Sequence, residues 1–432
     1  MTFRSISRRQ FLAAAGLSAT SLTGQEPKAR PVAAGLEPFD RLMATFVEKN
    51  KVPGAALAVT RGGKLVYASG FGYADVEKKE PVAPAALFRI ASISKPFTAV
   101  TVLRLVERGK LKLSDKVLDH IKLTPHVPAG GKADPRWNDI TVAHCLRHTG
   151  GWDRDKSFDP IGRVGQIAKS LGVPLPATPD HLVQYMMGRP LDFDPGARAA
   201  YSNLGYLVLS RVIEAVAGPY EATVREEVLK PLGITAMRLG RGSLEHRTKG
   251  EVKYYPAKPW AGPAVVGPKI GEQVPGQYGA MNIEGFEAHG GWLASAVDLV
   301  RFVAAFDDPA RSPLLKEETI RTMWSRPEGR AGHDAEGKPL PAYLGCGWMV
   351  RPVGDKGKAN VWHTGSISGT STLVVRRWDG LNWAVLFNGD QNPDGKALSA
   401  LIDPLVHEAA DRVTDWPTGD LFGRFYGEVK KG

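Results

Sequence analysis

The sequence Phe88-Arg89-Ile90-Ala91-Ser92-Ile93-Ser94-Lys95 leads into a strongly apolar stretch that runs from Phe97 to Val106. Apolar residues recur there at three- and four-residue intervals, with some all-round apolarity, so the stretch predicts a buried helix. Pro96 falls in the first turn, where a missing N–H group costs nothing, and Gly109 suits a left-handed cap at the far end. We expect the rest of the chain to support this helix and the residues at its start.

Ser92 and Lys95 stand three residues apart at the head of this helix. Residues with that spacing share a helix face, so the amine of Lys95 is expected over the hydroxyl of Ser92. A serine hydroxyl is a weak nucleophile until a base takes its proton, and a partly desolvated lysine can be that base. The Ser-x-x-Lys pattern is also typical of a helix cap beside a solvated lysine, so other motifs must decide between the two interpretations.

The amino-terminal sequence Ser7-Arg8-Arg9-Gln10-Phe11-Leu12 precedes a short apolar run that ends at Ala19. Paired arginines before such a run resemble a twin-arginine export signal, and a basic amphipathic segment is the alternative. We expect residues 1–35 to be a signal peptide with a linker, and the mature protein to be periplasmic or secreted. The run is too short to span a bilayer and no later stretch is long and charge-free enough, so no membrane span is expected.

The composition is that of a soluble globular protein. The chain has 432 residues, of which 43% are hydrophobic, so it can bury a large core. Its formal net charge is +11, but residues 1–30 hold five Lys or Arg and one acid, which leaves +7 for the rest. Because no basic cluster is interleaved with aromatic residues, the excess indicates solvated surface charge, and no nucleic-acid partner is expected.

The order of patterns along the chain predicts an α/β (α+β) fold. Two apolar stretches around Gly62-Gly63 predict a β-hairpin, and strand patterns return from Gly345 onward, with a hairpin turn at Trp378-Asp379-Gly380-Leu381. Loops rich in Pro and Gly alternate with helical stretches between them. We therefore expect one mostly antiparallel sheet, completed by both ends of the chain and flanked by helices, with an inserted mainly helical domain.

The expected domains are a sheet domain (36–115 and 286–412), an inserted helical domain (116–285) and a carboxy-terminal tail (413–432). The predicted elements are helices at Leu36–Asn50, Asn203–Ala217 and Gly395–Ala410, and strands at Val52–Thr60, Leu65–Gly72, Gly345–Val350, Thr370–Val375 and Asn382–Phe387. Glu245–Gly290 is predicted to be a long loop, whose Tyr254, Tyr255 and Trp260 either wall a substrate pocket or pack the loop down.

Two further motifs accompany Ser92-Ile93-Ser94-Lys95. Tyr201-Ser202-Asn203 follows a Pro-Gly turn and begins a helix, and Trp362-His363-Thr364-Gly365-Ser366 directly precedes a strand. Together the three motifs resemble the penicillin-recognising serine enzymes, specifically the class C β-lactamase-like branch with its β-lactamases, DD-carboxypeptidases, D-aminopeptidases and carboxylesterases. The likeness covers about Leu36 to Ala410, and its supporting stretches are Ile140–Gly151, Pro231–Ile234 and Gly290–Ser295.

The resemblance implies an antiparallel sheet with helices on both faces, a helical domain leaning over it, and a catalytic site between the two. At the matching positions, Ser92 would attack a carbonyl and form an acyl-enzyme, Lys95 would help take its proton, and Tyr201 would serve as general base and then as acid to the leaving group. The motifs leave open which of Lys95 and Tyr201 deprotonates Ser92, because the two form a coupled pair.

The remaining matching positions would bind substrate. Asn203 would position the substrate amide or Lys95, Gly365 belongs to the strand motif, and the backbone N–H groups of Ser92 and Ser366 would form the oxyanion hole. His363 stands where β-lactamases and many peptidases of the family carry a lysine, and an imidazole is mostly neutral at neutral pH. We expect His363 to contact substrate, and an ester or an amide without a carboxylate to suit this chain better than a β-lactam; a structural role for His363 is the alternative.

Other residues could carry chemistry but fit structural roles better. His144 and His148 share a face of a short helix that Thr141 caps; they could hold a metal, but no third ligand accompanies them, so we expect helix-end packing and leave His148 out of the site. Cys145 and Cys346 could pair in an exported protein, although a chain of this size does not need the bridge.

The sequence therefore predicts an exported serine hydrolase with no metal or organic cofactor. Its expected partner is a small-molecule ester, a β-lactam or a peptidoglycan-type peptide. A DD-carboxypeptidase or D-aminopeptidase is a close competitor, and two other classes stay open. One is a cell-wall protein that penicillin acylates without turnover, and the other is a metallohydrolase that uses His144 and His148.

Overall fold

The computed structural model describes residues 35–354 and 357–427, so the twin-arginine segment Ser7 to Leu12 lies outside the described residues. The helices are α1 Glu37–Lys49, α2 Ser94–Glu107, α3 Val117–His120, α4 Val142–Leu146, α5 Val164–Leu171, α6 Pro179–Met187, α7 Asn203–Ala217, α8 Tyr220–Val224, α9 Ile283–Gly290, α10 Ala296–Ala304, α11 Glu317–Trp324, α12 Leu398–Asp411 and α13 Gly423–Tyr426. The strands are β1 Gly54–Arg61, β2 Lys64–Asp75, β3 Glu80–Pro81, β4 Phe88–Arg89, β5 Arg238–Leu239, β6 Ala261–Pro263, β7 Gln273–Pro275, β8 Trp292–Ala294, β9 Tyr343–Leu344, β10 Met349–Pro352, β11 Ala359–Ile367, β12 Thr370–Arg376 and β13 Leu381–Phe387.

A large antiparallel sheet of eight strands, in the order β3-β2-β1-β13-β12-β11-β10-β9, forms the centre of the molecule. The first and last strands of the chain meet where β1 pairs with β13, from Ala55 opposite Phe387 to Arg61 opposite Leu381. Both predicted hairpins are present, and Gly62, Gly63 and Gly380 adopt the positive φ angles that such turns need. The fold is thus the expected mixed α/β type, with its sheet completed by both ends of the chain.

Side chains alternate between two cores along the central strands, as strand geometry requires. Leu57, Val59 and Val385 face one core with α1 and α12, whereas Ala58 and Ala384 face the other core with α2 and α10. Small residues on that second face let the helices approach the sheet closely. The helices α3–α9 are inserted in the chain between the two groups of sheet strands and extend this second core. The predicted domain boundaries stay a prediction.

Two predicted elements differ from the structure. In the predicted strand Gly345–Val350, only Met349 and Val350 lie in a strand, β10; residues 345–348 form the turn between β9 and β10, where Gly347 has a φ of 79° and packs against Ala99 of α2. The stretch Glu245–Gly290 contains β6, β7 and α9, so the prediction of a structureless loop was wrong. Among the described residues, no helix combines the length and the apolarity needed to cross a membrane.

Candidate active site

Ser92 lies in a short 3-10 turn, Ala91–Ile93, that leads directly into α2. The backbone of this turn is fixed from two sides, because the Ile90 N–H donates to the Trp292 carbonyl at 3.0 Å and the Ile90 carbonyl accepts from Thr372 Oγ1 at 3.1 Å. Ile90, Ala91 and Ile93 are fully buried, whereas Ser92 keeps partial exposure. The turn therefore holds the Ser92 hydroxyl at a fixed place that solvent and substrate can reach.

Lys95 makes the contact with Ser92 that the three-residue spacing predicts. Its Nζ lies 3.2 Å from Ser92 Oγ. Nζ also lies 2.7 Å from Asn203 Oδ1 and 2.9 Å from the His289 carbonyl oxygen. Lys95 is completely buried, and burial holds the pKa of its amine well below the ordinary value of 10.5. A neutral amine has two N–H bonds for the two carbonyl oxygens, which leaves its lone pair for the Ser92 proton.

Tyr201 lies beside Ser92, close enough for the Ser92 side chain to lower the pKa of its phenol. Burial raises the pKa of the Tyr201 phenol above its ordinary value, while the Ser92 side chain and the charge of Arg154 lower it. Lys95 Nζ lies 4.7 Å from the centre of the Tyr201 ring. Both candidate bases therefore lie beside Ser92, and the charges of Arg154 and Asp159 act on the pKa values of both.

Asn203 begins α7, whose amino end is capped by Ser202. Besides accepting from Lys95, its side-chain amide donates through Nδ2 to Asp159 Oδ2 at 2.6 Å. The charge of Asp159 raises the pKa of the Lys95 amine and so opposes the effect of burial. Of the two roles expected for Asn203, the structure contains the contact with Lys95.

The segment His363–Ile367 of β11 has one open edge beside the site. β10 pairs with β11 only as far as Trp362. On the other side, the two-residue turn between Ile367 and Thr370 makes these two a hydrogen-bonded pair, and the pattern alternates along the strand. Ser366 therefore turns its N–H and C=O groups away from β12, toward the open edge.

Two residues of β11, Gly365 and His363, lie close to the other residues of the site. A Cβ atom on Gly365 would lie 2.3 Å from the Ile90 carbonyl oxygen, so only glycine lets β11 approach the turn that carries Ser92. His363 is buried, and its Nδ1 lies 2.6 Å from the Thr364 carbonyl oxygen. A carbonyl can only accept, so Nδ1 carries the hydrogen. Burial and the charge of Lys95 lower the pKa of His363 to about 3, so the ring is neutral.

Four contributors to this arrangement were not identified from the sequence: Arg154, Asp159, the His289 carbonyl and His148. The His148 ring stacks on Tyr201 with 4.5 Å between ring centres, and its Nδ1 accepts from the Ser202 N–H at 3.1 Å. His148 thus supports the Tyr201 segment, whereas the sequence predicts only helix-end packing for it. The signal in the sequence that could have indicated this role of His148 is its position just after a capped helix.

The residues set aside as structural are placed as follows. His144 closes the amino end of α4 with Thr141 through two backbone-to-side-chain hydrogen bonds, and the described residues contain no group of three or more His, Cys, Asp or Glu side chains placed to hold a metal. Cys145 and Cys346 are both buried free thiols. The alternatives of a metal pair and of a disulfide therefore find no support here.

Of the three aromatic residues predicted either to wall a substrate pocket or to pack down Glu245–Gly290, two are packed and one is exposed. Tyr254 is buried, and its hydroxyl donates to Glu251 Oε1 at 2.8 Å. The Tyr255 hydroxyl donates to Glu77 Oε2, also at 2.8 Å. Both pack the loop down, whereas Trp260 is 44% exposed beside the turn after β11.

The chain is similar to known proteins over most of its length. The model of the Beta-lactamase family matches residues 39–406, which is most of the chain. The chain belongs to the beta-lactamase family. Within the family it resembles penicillin-binding protein 4* of Bacillus subtilis (strain 168), with 27% identity over 347 residues that cover 78% of this chain and 68% of that protein. Other curated relatives match over only 36–37% of their own length.

Solved structures share the fold of this beta-lactamase family member. The octameric penicillin-binding protein homologue from Pyrococcus abyssi is 26% identical, with a TM-score of 0.61 over 86% of this chain and 77% of that chain. The D-amino acid amidase from Ochrobactrum anthropi SV3 is 20% identical, with a TM-score of 0.64 over 88% of this chain and 99% of that chain, and shares the fold. The family and the fold therefore agree with the resemblance that the three sequence motifs carry.

Proposed function

We propose that this protein is an exported serine hydrolase that cleaves a carboxylic ester or amide through an acyl-enzyme on Ser92. The observation that carries the proposal is the set of contacts around Lys95. Two carbonyl oxygens accept from its amine, and the third short contact, at 3.2 Å, is with Ser92 Oγ. Together with the lowered pKa of the amine, this arrangement suits a lysine that accepts a proton from the serine.

The proposed reaction has two halves. In the first, Ser92 Oγ gives its proton to the Lys95–Tyr201 pair and attacks the substrate carbonyl, whose oxygen takes up negative charge facing the N–H groups of Ser92 and Ser366. The Tyr201 hydroxyl then protonates the leaving alcohol or amine as the bond to the carbonyl carbon breaks. In the second half, water loses a proton to the same pair and attacks the ester on Ser92; the bond to Oγ breaks, Oγ takes the proton back from the pair, and the acid is released.

The proposed substrate class follows from His363. A neutral imidazole offers hydrogen bonds but no permanent charge at the place where a lysine of the family would hold a carboxylate. We therefore favour esters and amides over β-lactams. The names of the relatives, a penicillin-binding protein and a D-amino acid amidase, support a peptidase or amidase for D-amino-acid substrates as the second candidate.

The test is release of p-nitrophenol from p-nitrophenyl butyrate by the purified protein, with Ser92→Ala and Ser94→Ala beside it. Ser94 is the matched control, because its Oγ accepts from the Trp292 N–H at 3.3 Å and has no contact with Lys95 Nζ. Turnover that is lost in Ser92→Ala and kept in Ser94→Ala supports the proposal. Turnover that survives in Ser92→Ala refutes it.

A second measurement separates an enzyme from a protein that penicillin merely acylates. Mass spectrometry of the intact protein after mixing with benzylpenicillin would detect an adduct on Ser92. A stable adduct without turnover of any ester or D-amino-acid amide would favour the binding protein. Loss of activity on adding a chelator would instead favour the metallohydrolase.

Export is the remaining part of the proposal and rests on Arg8 and Arg9. Replacement of both by lysine is expected to retain the protein in the cytoplasm, because the paired arginines are the feature that the export machinery reads. Cell fractionation of the full chain and this variant would test it. Equal distribution of the two proteins would contradict a twin-arginine signal.

A further inference from the structure

The loop between Trp152 and Pro160 carries a guanidinium to the mouth of the proposed site. The Arg154 guanidinium carbon lies 4.9 Å from the centre of the Tyr201 ring. The loop is anchored on both sides of this residue. Asp153 pairs with Arg198 at 2.7 Å, and Asp159 accepts from Asn203 at 2.6 Å. The backbone that carries Arg154 is therefore held against the same wall of the site as Asn203.

The charge of Arg154 is scarcely neutralised within the protein. Its nearest carboxylate among the described residues is Asp155, at 4.0 Å, and that carboxylate is 93% exposed. Exposed pairs of this kind contribute little and are screened by salt. Arg136, by contrast, forms ion pairs with two carboxylates, Asp134 at 2.6 Å and Asp194 at 2.7 Å. The Arg154 side chain is 44% exposed, so its N–H groups remain free for an external anion.

The opposite wall of the site lacks such a charge. His363 occupies the strand position facing Tyr201, with 6.2 Å between ring centres, and its Nδ1 hydrogen is already committed to the Thr364 carbonyl. Lys95 is buried among its own partners and is not open to solvent. A substrate anion that enters the site can therefore pair with Arg154, the cation that stays exposed to solvent beside Tyr201.

We propose that Arg154 binds a carboxylate of the substrate, so that this enzyme prefers anionic esters or amides although β11 carries no lysine. The guanidinium presents planar paired donors that match a carboxylate. The inference rests on the proposed function, because it concerns the substrate of the same site. It replaces the expectation that the substrate lacks a carboxylate.

The test compares kcat/KM for three chromogenic esters. They are p-nitrophenyl butyrate, which is neutral; p-nitrophenyl hemisuccinate, with a carboxylate on the acyl side; and 3-carboxy-4-nitrophenyl butyrate, with a carboxylate on the leaving group. The readout is the kcat/KM for each anionic ester divided by the kcat/KM for the neutral ester. Arg154→Gln is expected to lower this ratio by about tenfold for one of the anionic esters, mainly through KM. Arg154→Lys is expected to restore part of the loss.

Arg163→Gln is the matched control. Arg163 also lies over an aromatic ring of the helical region, 4.3 Å from the centre of Phe158, but has no contact with Tyr201. The kcat/KM ratios of anionic to neutral ester for Arg163→Gln are expected to equal those of the unmodified protein. A change as large as that of Arg154→Gln would show that general surface charge, not Arg154, selects the anion.

A second readout is independent of substrate charge. The Arg154 charge lowers the pKa values of both Lys95 and Tyr201, so Arg154→Gln is also expected to move the pH profile for the neutral ester toward higher pH. Unchanged ratios for both anionic esters would overturn the inference while turnover of the neutral ester left the proposed function standing. A protein that cleaves none of the three esters and no D-amino-acid amide would overturn both.

Discussion

Arg211→Met is expected to destabilise the protein strongly, because it leaves the carboxylate of Glu287 buried without its cation. The two side chains are hydrogen-bonded and are 12% and 11% exposed. Removing one partner of a buried ion pair costs about 3–5 kcal/mol of unfolding free energy. Glu287→Gln is expected to cost less, about 1–2 kcal/mol, since Arg211 keeps Glu214 at 2.7 Å and Asp180 at 3.2 Å.

The cost of Arg211→Met should also depend on pH. Burial raises the pKa of Glu287 above its ordinary value of 4.5, and the Arg211 charge opposes that rise. Without Arg211 the folded-state pKa rises further, while the unfolded-state pKa is unchanged. A carboxyl whose pKa is raised by folding contributes its full stability below the unfolded pKa and loses it as pH rises through the folded pKa. The variant is therefore expected to lose more stability at about pH 8 than at about pH 5.

Urea unfolding followed by tryptophan fluorescence at both pH values measures these costs. Arg225→Met is the control, because it removes an exposed pair with Glu221, at 39% and 37% exposure, and is expected to cost at most about 0.5 kcal/mol. Equal costs for Arg211→Met and the control, or a cost that does not change with pH, would refute the reasoning. Glu287 interrupts α9 just before the carbonyl that contacts Lys95, so ester turnover by the folded variant is expected to fall as well.

Two further predictions concern the site, and a third concerns the buried thiols. Gly365→Ala is expected to lower ester turnover by about a hundredfold or more, because its Cβ would push β11 away from the Ile90 carbonyl; activity close to the original would show that the strand is not tightly packed there. The kcat/KM for a neutral ester is expected to rise with pH along a limb well below 10.5 as the Lys95 amine loses its proton, and a rise only near 10.5 in the measured pH profile would contradict a buried neutral lysine. Cys145 and Cys346 are expected to react with a thiol reagent only after unfolding, and a native disulfide found by mass spectrometry would contradict their free state.

The parts of the site that sequence reasoning found are those encoded locally or by whole motifs. Ser92 and Lys95 are brought together by helix geometry alone, so their spacing predicts their contact. Tyr201 and Asn203 lie more than a hundred residues away, and only the order of motifs placed them beside Lys95. The side-chain roles that the motifs imply stay predictions until the variants are measured.

The missed contributors share a physical reason. The His289 contact with Lys95 is made by a backbone carbonyl. Because every residue has this group, the residue type gives no signal of the contact in the sequence. Asp159 and Arg154 lie in a loop whose path depends on distant anchors, among them Arg198. The turn at Gly345 to Trp348 was mistaken for a strand because Gly345 packs closely against α11 and Gly347 against α2, a cause that periodicity does not record.

The distribution of charge around Ser92 separates the chemistry of the site from its selection of substrate. His148, His289 and His363 are all buried close to Lys95, and burial lowers the pKa of each imidazole. The lowered pKa values keep positive charge off these rings, which leaves the Lys95 amine better able to accept the serine proton. Arg154 holds its permanent charge at the solvent-exposed mouth, where it can attract an anion without being buried. Acid–base chemistry and charge recognition thus rest on different residues, and variants at Arg154 should alter the second far more than the first.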